Sequence, residues 1–184
     1  MLKVPGATVD VSAVSGAARS ALVIFNPTAG RRRRQRLQRA LARLTSLGVA
    51  VTLRETTAAG DARAFASTAT GVDIVAVAGG DGTISGVSAG LAGLPNQFGM
   101  IASGTFNYFA RSLNLPETVE EAIDVIARGK IRPTGIAMIN DKVFLNNASI
   151  GAYAAILQTR EGIYKRWGRS RVAAYWSVVK ALAT

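Results

Sequence analysis

The chain has 184 residues and 49% of them are hydrophobic, which is enough for one domain or for one domain and part of a second. Cysteine and histidine are both absent. Their absence excludes disulfide frameworks, thiol and Ser-His nucleophiles, and the usual zinc sites. Twenty-two basic residues against 11 acidic ones give a net charge of +11. This balance predicts an anionic partner: nucleic acid, nucleotide phosphates or an acidic membrane surface.

The two segments that could address the chain to a membrane do not fit that role. Residues 1–20 are weakly charged, contain Pro5 and Asp10, and lack the continuous apolar stretch of a secretory signal, so we expect a loose N-terminal leader. The longest uncharged run, residues 82–110, is interrupted by Gly, Pro, Asn and Ser. It does not match a membrane span of about 20 mainly apolar residues. The expected class is a soluble, cytoplasmic protein.

Short apolar segments alternate with helical patterns through the first 128 residues. The predicted strands are residues 21–25, 49–53, 73–78 and 99–102. The predicted helices are a segment that carries Leu37, Leu41, Leu44 and Leu47 and stops near Gly48, then residues 61–70, 84–94, 107–113 and 117–128. This alternation predicts an α/β fold, a parallel sheet wrapped by helices.

The pattern changes after Gly129. Residues 136–139 and 143–147 are predicted strands around a hairpin at Asn140-Asp141. From Gly151 to Ala183 the chain is basic and helical in pattern. We place the α/β domain at 21–132 and the incomplete start of a β-rich second domain at 133–184, because so few residues cannot build an independent core.

Polar or glycine-containing loops follow three of the predicted strands and begin at Asn26, Gly79 and Ser103. Ligands of parallel sheets collect at the carboxyl ends of the strands. The GGDGT turn at 79–83 would aim backbone N–H groups and a helix N-terminus at an anion, which predicts a phosphate site. Thr83 would cap that helix and also donate to a phosphate.

Asp81 stands inside this predicted anion site. An acid fits there if Mg²⁺ lies between it and the phosphate, or if it accepts a proton from an attacking hydroxyl. The alternative is an ordinary tight turn in which Asp81 caps the helix. The chain contains neither the Rossmann nor the P-loop glycine motif, so those two nucleotide sites have no support.

Together these motifs resemble a known family. FNPTAG at 25–30, GGDGT at 79–83 and SGTFNYFAR at 103–111 resemble, in order, the nucleotide-site motifs of the diacylglycerol kinase catalytic domain, a family that includes bacterial lipid kinases and the sphingosine and ceramide kinases. NDKVFLNNASIGAY at 140–153 is similar to the strand pair that opens that family's second domain. GGDGT alone does not decide the family, because NAD kinases use a similar loop.

The resemblance implies an NAD kinase/diacylglycerol kinase-like domain that binds ATP with Mg²⁺ and transfers the γ-phosphoryl group to the hydroxyl of a diacylglycerol- or sphingosine-like lipid. Asp81 would be the acidic catalytic participant, as a tentative Mg²⁺ ligand or as a proton acceptor. The implied nucleotide-binding residues are Asn26, Thr28, Gly30, Gly79, Gly80, Gly82, Thr83, Gly104, Thr105 and Asn107.

The sequence also departs from the family pattern. Ile84-Ser85-Gly86 replaces a polar pair, and Phe106 and Tyr108 replace glycine and aspartate. Phe106 would stack on the adenine, narrow the pocket or simply pack. Members of the family are usually longer, and the additional part carries most of the second domain and an acid assigned as catalytic base in several members. The resemblance therefore implies nucleotide binding and leaves open whether this chain catalyses phosphoryl transfer.

Arginines are concentrated at the start of the first predicted helix, where Arg31–Arg34 and Arg36 oppose the helix dipole. They would face ATP phosphates or anionic lipid headgroups, or form a solvated face without a specific role. A second basic cluster carries interleaved aromatic residues that suit a membrane interface. Its members are Arg160, Tyr164, Lys165, Arg166, Trp167, Arg169 and Arg171.

Two alternatives to a lipid kinase stay open. The GGDGT loop alone would also fit an NAD kinase-like phosphotransferase. The net charge would fit a non-enzymatic basic module that binds membrane or nucleic acid, although no helix-turn-helix, zinc-finger or RNP signature supports nucleic acid. We expect peripheral contact with an anionic membrane and leave a homodimer, the identity of the lipid and the catalytic base open.

Overall fold

The computed structural model describes residues 19–27, 31–128, 130–139 and 142–145, with the side chains of residues 31–32 not included. The strands are β1 (Arg19–Phe25), β2 (Val49–Glu55), β3 (Ile74–Gly79), β4 (Gln97–Ala102), β5 (Ala137–Ile139) and β6 (Lys142–Phe144). The helices are α1 (Arg31–Ser46), α2 (Asp61–Ser67), α3 (Asp81–Leu91), α4 (Tyr108–Ser112) and α5 (Val119–Arg128). Each predicted element within the described residues is present, and β1 begins two residues before the predicted strand.

The four long strands form one parallel sheet in the order β2-β1-β3-β4. Phe25 pairs with Glu55 of β2 on one side and with Ala78 of β3 on the other, so the carboxyl ends of these strands lie level with one another. Gly79 at the end of β3 pairs with Ala102 at the end of β4. The predicted parallel sheet wrapped by helices is confirmed.

Both faces of this sheet are buried, which explains the unbroken apolar run of β3. All six residues of β3 are buried, as expected for a parallel strand covered by helices on both sides. One face packs against α1 and α5, and the other packs against α2, α3 and α4. Alternation along β1 divides its side chains between them. Val23 and Phe25 belong to the first cluster, and Leu22 and Ile24 belong to the second.

Glycines within α3 allow this helix to lie directly against α2. A Cβ built on Gly90 would stand 2.5 Å from the carbonyl oxygen of Arg63, and one built on Gly86 would stand 3.3 Å from Ala62 Cβ. Distances this short leave no room for a side chain at Gly90. Close packing therefore explains why a helix forms here despite residues of poor intrinsic helix propensity.

Ion pairs join α1 to α5 across the outer surface of the first face. Arg36 Nη2 lies 2.6 Å from Glu120, and Arg43 Nη2 lies 2.8 Å from Asp124. Both pairs use two guanidinium nitrogens on one carboxylate. Exposed pairs of this kind contribute little each, but they give the α1 arginines specific partners on a neighbouring helix.

A small antiparallel sheet of β5 and β6 follows the α/β domain and begins a β-rich second domain. Leu145 packs against the cluster that contains α3, whereas all three residues of β5 are exposed. The hairpin turn at 140–141 lies outside the described residues. Four other predicted features also lie outside the described residues: most of the leader, residues 146–147 of the last predicted strand, the helical pattern of 151–183 and the second basic cluster.

No helix in the described part of the chain is both long enough and apolar enough to cross a bilayer.

The Arg36–Glu120 pair predicts a stability loss in acid. Hydrogen bonds from the Arg36 side chain lower the pKa of Glu120 from 4.5 to about 2. A carboxylate whose pKa is depressed by folding stabilises the folded state above its unfolded pKa and loses that effect as the pH falls through its folded pKa. The contribution of Glu120 should therefore be complete above pH 4.5 and decline towards pH 2.

Urea unfolding of the wild type and of Glu120→Gln, measured from pH 7 to pH 2, checks this expectation. The difference in unfolding free energy between the two proteins should shrink as the pH is lowered through that window. A difference that stays constant across it would contradict the pairing.

Candidate active site

The carboxyl edge of the sheet carries a cavity of about 520 Å³. Loops from all three predicted sites meet there, because β1, β3 and β4 end side by side. Asp81 is the acidic residue on the described part of the wall, and Arg33 is the basic one. The described lining residues are Asn26, Arg33, Thr56, Ala58, Ala59, Gly60, Ala62, Gly79, Gly80, Asp81, Gly82, Thr83, Ser103 and Gly104.

The sequence-predicted site residues divide into three groups. The cavity brings together Asn26, Gly79, Gly80, Asp81, Gly82, Thr83 and Gly104. Thr105 and Asn107 follow on the same loop as Gly104 but are not among the described lining residues. Thr28 and Gly30 lie outside the described residues. Most of the predicted residues therefore lie around one cavity, and their roles stay predictions.

The GGDGT turn is the start of α3 rather than a loop before it. Gly80 is the N-cap, and Asp81, Gly82 and Thr83 form the first helical turn. The predicted helix start at Ile84 and the predicted capping role of Thr83 are therefore wrong. Gly80 has no side chain with which to cap the helix. Thr83 N and Ile84 N donate to the carbonyl of Gly80, which leaves the N–H groups of Asp81 and Gly82 at the helix N-terminus for a ligand.

Close packing explains why Gly79 and Gly80 in this turn, and Gly104 in the next loop, are glycines. A Cβ built on Gly104 would lie 2.6 Å from Gly80 Cα, so the β3–α3 turn and the β4–α4 loop touch backbone to backbone. A Cβ on Gly79 would lie 2.7 Å from Thr83 Cβ. The sequence predicted a phosphate site or an ordinary tight turn for the GGDGT glycines, and a place in the nucleotide pocket for Gly104. Packing is a sufficient reason for all three glycines: between the two loops for Gly80 and Gly104, and against the side chain of Thr83 for Gly79.

Gly82 is different, because no packing contact requires it to be glycine. A Cβ built there meets nothing within 4 Å, and its φ lies outside the left-handed region that favours glycine. The residue is exposed and lines the cavity. The space over Gly82 is therefore open to a ligand at the N-terminus of α3.

Hydrogen bonds hold the loops in register. Asn26 Nδ2 donates to Thr83 Oγ1 at 3.2 Å, which joins the end of β1 to the first turn of α3. Ser103 N donates to the carbonyl of Gly79 at 2.9 Å, which joins the end of β4 to the end of β3. The Ser103 hydroxyl is buried without a hydrogen-bond partner among the described residues. The cavity wall is thus a connected set of three loops.

Asn107 organises the β4–α4 loop rather than lining the cavity. Its Oδ1 accepts a hydrogen bond from Gly104 N at 2.8 Å, and its own backbone is left-handed, with φ of 53°. Asparagine tolerates this conformation better than most residues do. The helix that follows brings Phe109 N within 3.4 Å of Asp81 Oδ1. Asn107 therefore acts on the site through Gly104 and through the placement of α4.

Phe106 does not pack into the core and does not narrow the described cavity. Its ring is stacked on that of Tyr108, with centroids 5.3 Å apart and 6° between the planes. Both side chains are more than half exposed, at 57% and 58%. The two replacements of the family pattern thus form one exposed aromatic pair beside the site.

The sequence did not predict the fourth loop that lines the cavity. The loop after β2 lines the cavity with Thr56 and with the small residues Ala58, Ala59 and Gly60. A signal was present, because β2 was predicted as a strand and its carboxyl end must reach the same edge as that of β1. Arg33 was predicted only as one of a run of arginines that would face ATP phosphates, lipid headgroups or solvent, and its position on the cavity required the structure.

Asp61 holds this fourth loop in place. Its Oδ2 accepts hydrogen bonds from Thr57 N at 2.7 Å, from Ala58 N at 2.8 Å and from Thr57 Oγ1 at 2.9 Å. The bonds from Thr57 and Ala58 keep the pKa of Asp61 below its ordinary value. An ionised Asp61 therefore defines the conformation of a loop that borders the cavity.

Among the described residues there is no group of three or more carboxylate, Cys or His side chains that could bind a metal ion. Asp81 alone brings a carboxylate to the described cavity wall. A cation at this site would have to share its coordination with a ligand and with water, which is how Mg²⁺ is commonly bound beside phosphates.

Comparisons with known proteins point to one family. The profile of the Diacylglycerol kinase catalytic domain matches residues 20–139. The "Diacylglycerol kinase" of Bacillus subtilis (strain 168) is 39% identical over 137 residues, which cover 71% of this chain and 45% of that protein. The "Diacylglycerol kinase" of Staphylococcus saprophyticus is 38% identical over 136 residues, with the same coverage of both chains.

The fold gives the same result. The crystal structure of a diacylglycerol kinase from Bacillus anthracis str. Sterne matches with a TM-score of 0.62 and 31% identity, over 70% of this chain and 46% of that chain. The chain spans a little under half the length of the relatives that it matches. The matched part contains the cavity and its loops.

The Asp61 contacts predict a local change without a change of fold. Asp61→Ala should expose the amides of Thr57 and Ala58 to faster hydrogen exchange, because both lose their acceptor. Asp73→Ala is the matched control, since Asp73 accepts hydrogen bonds from Ser20 N at 2.7 Å and Ser20 Oγ at 2.9 Å. It should leave the exchange of Thr57 and Ala58 unchanged.

The same contacts predict a pH response. Because folding lowers the pKa of Asp61, the loop should stay pinned above the ordinary aspartate value and be released as the pH falls below it. Amide nitrogen shifts of Thr57 and Ala58, followed by NMR from pH 7 to pH 2, should titrate in that acidic range. Unchanged shifts across it would remove the assigned role of Asp61.

Proposed function

The chain belongs to the diacylglycerol kinase catalytic domain family, and from that premise we propose that its cavity binds Mg-ATP for phosphoryl transfer to a lipid hydroxyl. The observation that carries the proposal is the open space over Gly82 at the N-terminus of α3. A polyphosphate fits a helix N-terminus because the unpaired N–H groups and the positive end of the helix dipole both favour an anion.

The residues present fit a nucleotide with its magnesium ion. Gly80, Gly82 and Thr83 would hold the phosphates at the start of α3, and Asn26 would face them from the end of β1 while contacting Thr83. Asp81 would be a Mg²⁺ ligand or the proton acceptor for the attacking hydroxyl. When bound, Mg²⁺ neutralises phosphate charge, which together with positioning supplies most of the catalysis of phosphoryl transfer.

The position of Asp81 supports an acidic role directed at the cavity. Its backbone belongs to the first turn of α3, and Phe109 N donates to its Oδ1 at 3.4 Å from the other side. This weak contact places the carboxylate near the first turn of α4. The alternative of Asp81 as a plain helix cap has less support, because the N-cap position is held by Gly80.

The acceptor is proposed from the names of the relatives. Those proteins are called diacylglycerol kinases, so a diacylglycerol-like lipid is the first choice and a sphingosine-like lipid the second. A lipid acceptor implies peripheral contact with a membrane from the cytoplasmic side, for which the net charge of +11 favours anionic lipids. The family match favours this function over an NAD kinase and over a basic nucleic-acid module.

Ligand binding and transfer provide the direct test. Mg-ATP at about 100 times its dissociation constant should stabilise the folded chain by about 2.7 kcal/mol, measured by thermal or urea unfolding. Labelled ATP with vesicles of diacylglycerol or sphingosine in anionic phospholipid tests transfer. A wild type that Mg-ATP does not stabilise at saturation would refute the nucleotide site in this chain.

A pair of glycine variants in α3 separates binding from folding. Gly82→Ala should raise the unfolding free energy by about 0.4–1 kcal/mol, because the backbone accepts alanine without strain, and should weaken Mg-ATP binding by filling the cradle. Gly90→Ala, in the same helix, should lower the unfolding free energy by about 1–3 kcal/mol through overpacking against α2. It should leave the dissociation constant of the folded protein unchanged.

Calorimetric titration and urea unfolding of both variants measure the two effects. Equal affinity of Gly82→Ala and the wild type for Mg-ATP would show that the open space over Gly82 does not hold the phosphates.

A further inference from the structure

We propose that Arg33 binds the polyphosphate of the nucleotide, which deepens the proposed function and rests on it. Arg33 lies in the first turn of α1, and its side chain lines the cavity at the carboxyl edge of the sheet. Its Nη1 donates to the carbonyl of Ser103 at 2.6 Å, so the guanidinium reaches from α1 to the β4–α4 loop.

The location of this bond brings the guanidinium close to the proposed phosphate cradle. Ser103 precedes Gly104, whose backbone touches that of Gly80, and Gly80 is the N-cap of α3. Ser103 N is also bonded to the carbonyl of Gly79. A cation anchored at Ser103 is therefore one residue away from the loop contact that positions the N-terminus of α3.

Charge supports the same role. A nucleoside triphosphate carries several negative charges into a cavity whose described wall already includes the carboxylate of Asp81. Arg33 supplies the positive side chain on that described wall. A guanidinium holds phosphate oxygens through two parallel N–H bonds, and its bond to Ser103 occupies one of the five N–H groups that it carries.

Two nearby arginines of α1 form ion pairs away from the cavity. Arg34 lies 2.8 Å from Glu55, and Arg36 forms its ion pair with Glu120. Each of these cations is matched by a carboxylate. Arg33 instead contacts a neutral carbonyl, and its remaining N–H groups can form stronger, charge-assisted hydrogen bonds with a phosphate.

The position of Arg33 also carries a cost that binding would offset. No acidic residue stands in the first turn of α1, so a cation there meets the positive end of the helix dipole without local compensation. A bound polyphosphate near the side chain would reverse that repulsion.

The test compares Arg33→Ala and Arg33→Lys with Arg39→Ala in the full chain. Arg39 is an exposed arginine of the same helix, and its Nε donates only weakly, at 3.5 Å, to the carbonyl of Gln35 in its own helix. Its removal deletes the same charge away from the cavity. Calorimetric titrations use three probes: Mg-ATP, inorganic tripolyphosphate and AMP. Circular dichroism melting confirms that each variant is folded.

We expect Arg33→Ala to weaken Mg-ATP and tripolyphosphate by about tenfold or more, as for a lost charge-assisted hydrogen bond. AMP, which lacks the β- and γ-phosphates, should change by less than about twofold, and Arg39→Ala should change no probe by more than that. Arg33→Lys keeps the charge but loses the fork, so it should recover part of the affinity.

Equal binding by Arg33→Ala and the wild type would overturn the proposal, as would an equal loss for AMP and Mg-ATP. A loss of the same size in Arg39→Ala would also overturn it, since the effect would then be one of net charge. The proposed function fails separately: a wild type that binds tripolyphosphate through Arg33 but not Mg-ATP would retain the anion site and lose the nucleotide. A wild type that binds neither Mg-ATP nor tripolyphosphate would refute both the role of Arg33 and the proposed function.

Discussion

The backbone contact between Gly80 and Gly104 is the constraint on which the candidate site depends. It brings the turn after β3 against the loop after β4, at a separation that no side chain on Gly104 would permit. The hydrogen bond from Ser103 to Gly79 fixes the same junction. Since the N-terminus of α3 starts at Gly80, this junction aims the helix at the cavity. Phe109 N lies 3.4 Å from Asp81 Oδ1, and Arg33 donates to the carbonyl of Ser103.

The sheet beneath this junction is rigid because both of its faces are buried. β3 is covered by helices on each side, so its carboxyl end cannot move without disturbing two hydrophobic clusters. The two edges of this sheet differ in their side chains. Asp73 and Ser20 close the amino edge with hydrogen bonds, while the carboxyl edge holds a half-exposed acid, an exposed cation and a glycine that packing does not need.

The predicted strands and helices with a strong local pattern are present where the sequence places them. The apolar run of β3 and the leucine spacing of α1 needed no tertiary information. The start of α3 was predicted three residues too late, since Gly82 argues against a helix on propensity alone. The packing of Gly86 and Gly90 against α2 overrides that propensity. Thr105 and Asn107 were predicted to complete the pocket; Asn107 accepts a hydrogen bond from Gly104 N and Thr105 is exposed, and their contact with a nucleotide stays a prediction.

The amino-acid sequence by itself determined the alternation of strand and helix, the three motifs at the strand ends and their family resemblance, because each is a pattern within a few consecutive residues. Tertiary structure decided which glycines are needed for packing and which leave open space, since that depends on atoms distant in the chain. It also decided that the loop after β2 joins the site, and that Arg33 lines the cavity. Those outcomes follow from strand order and helix placement, which no local pattern encodes.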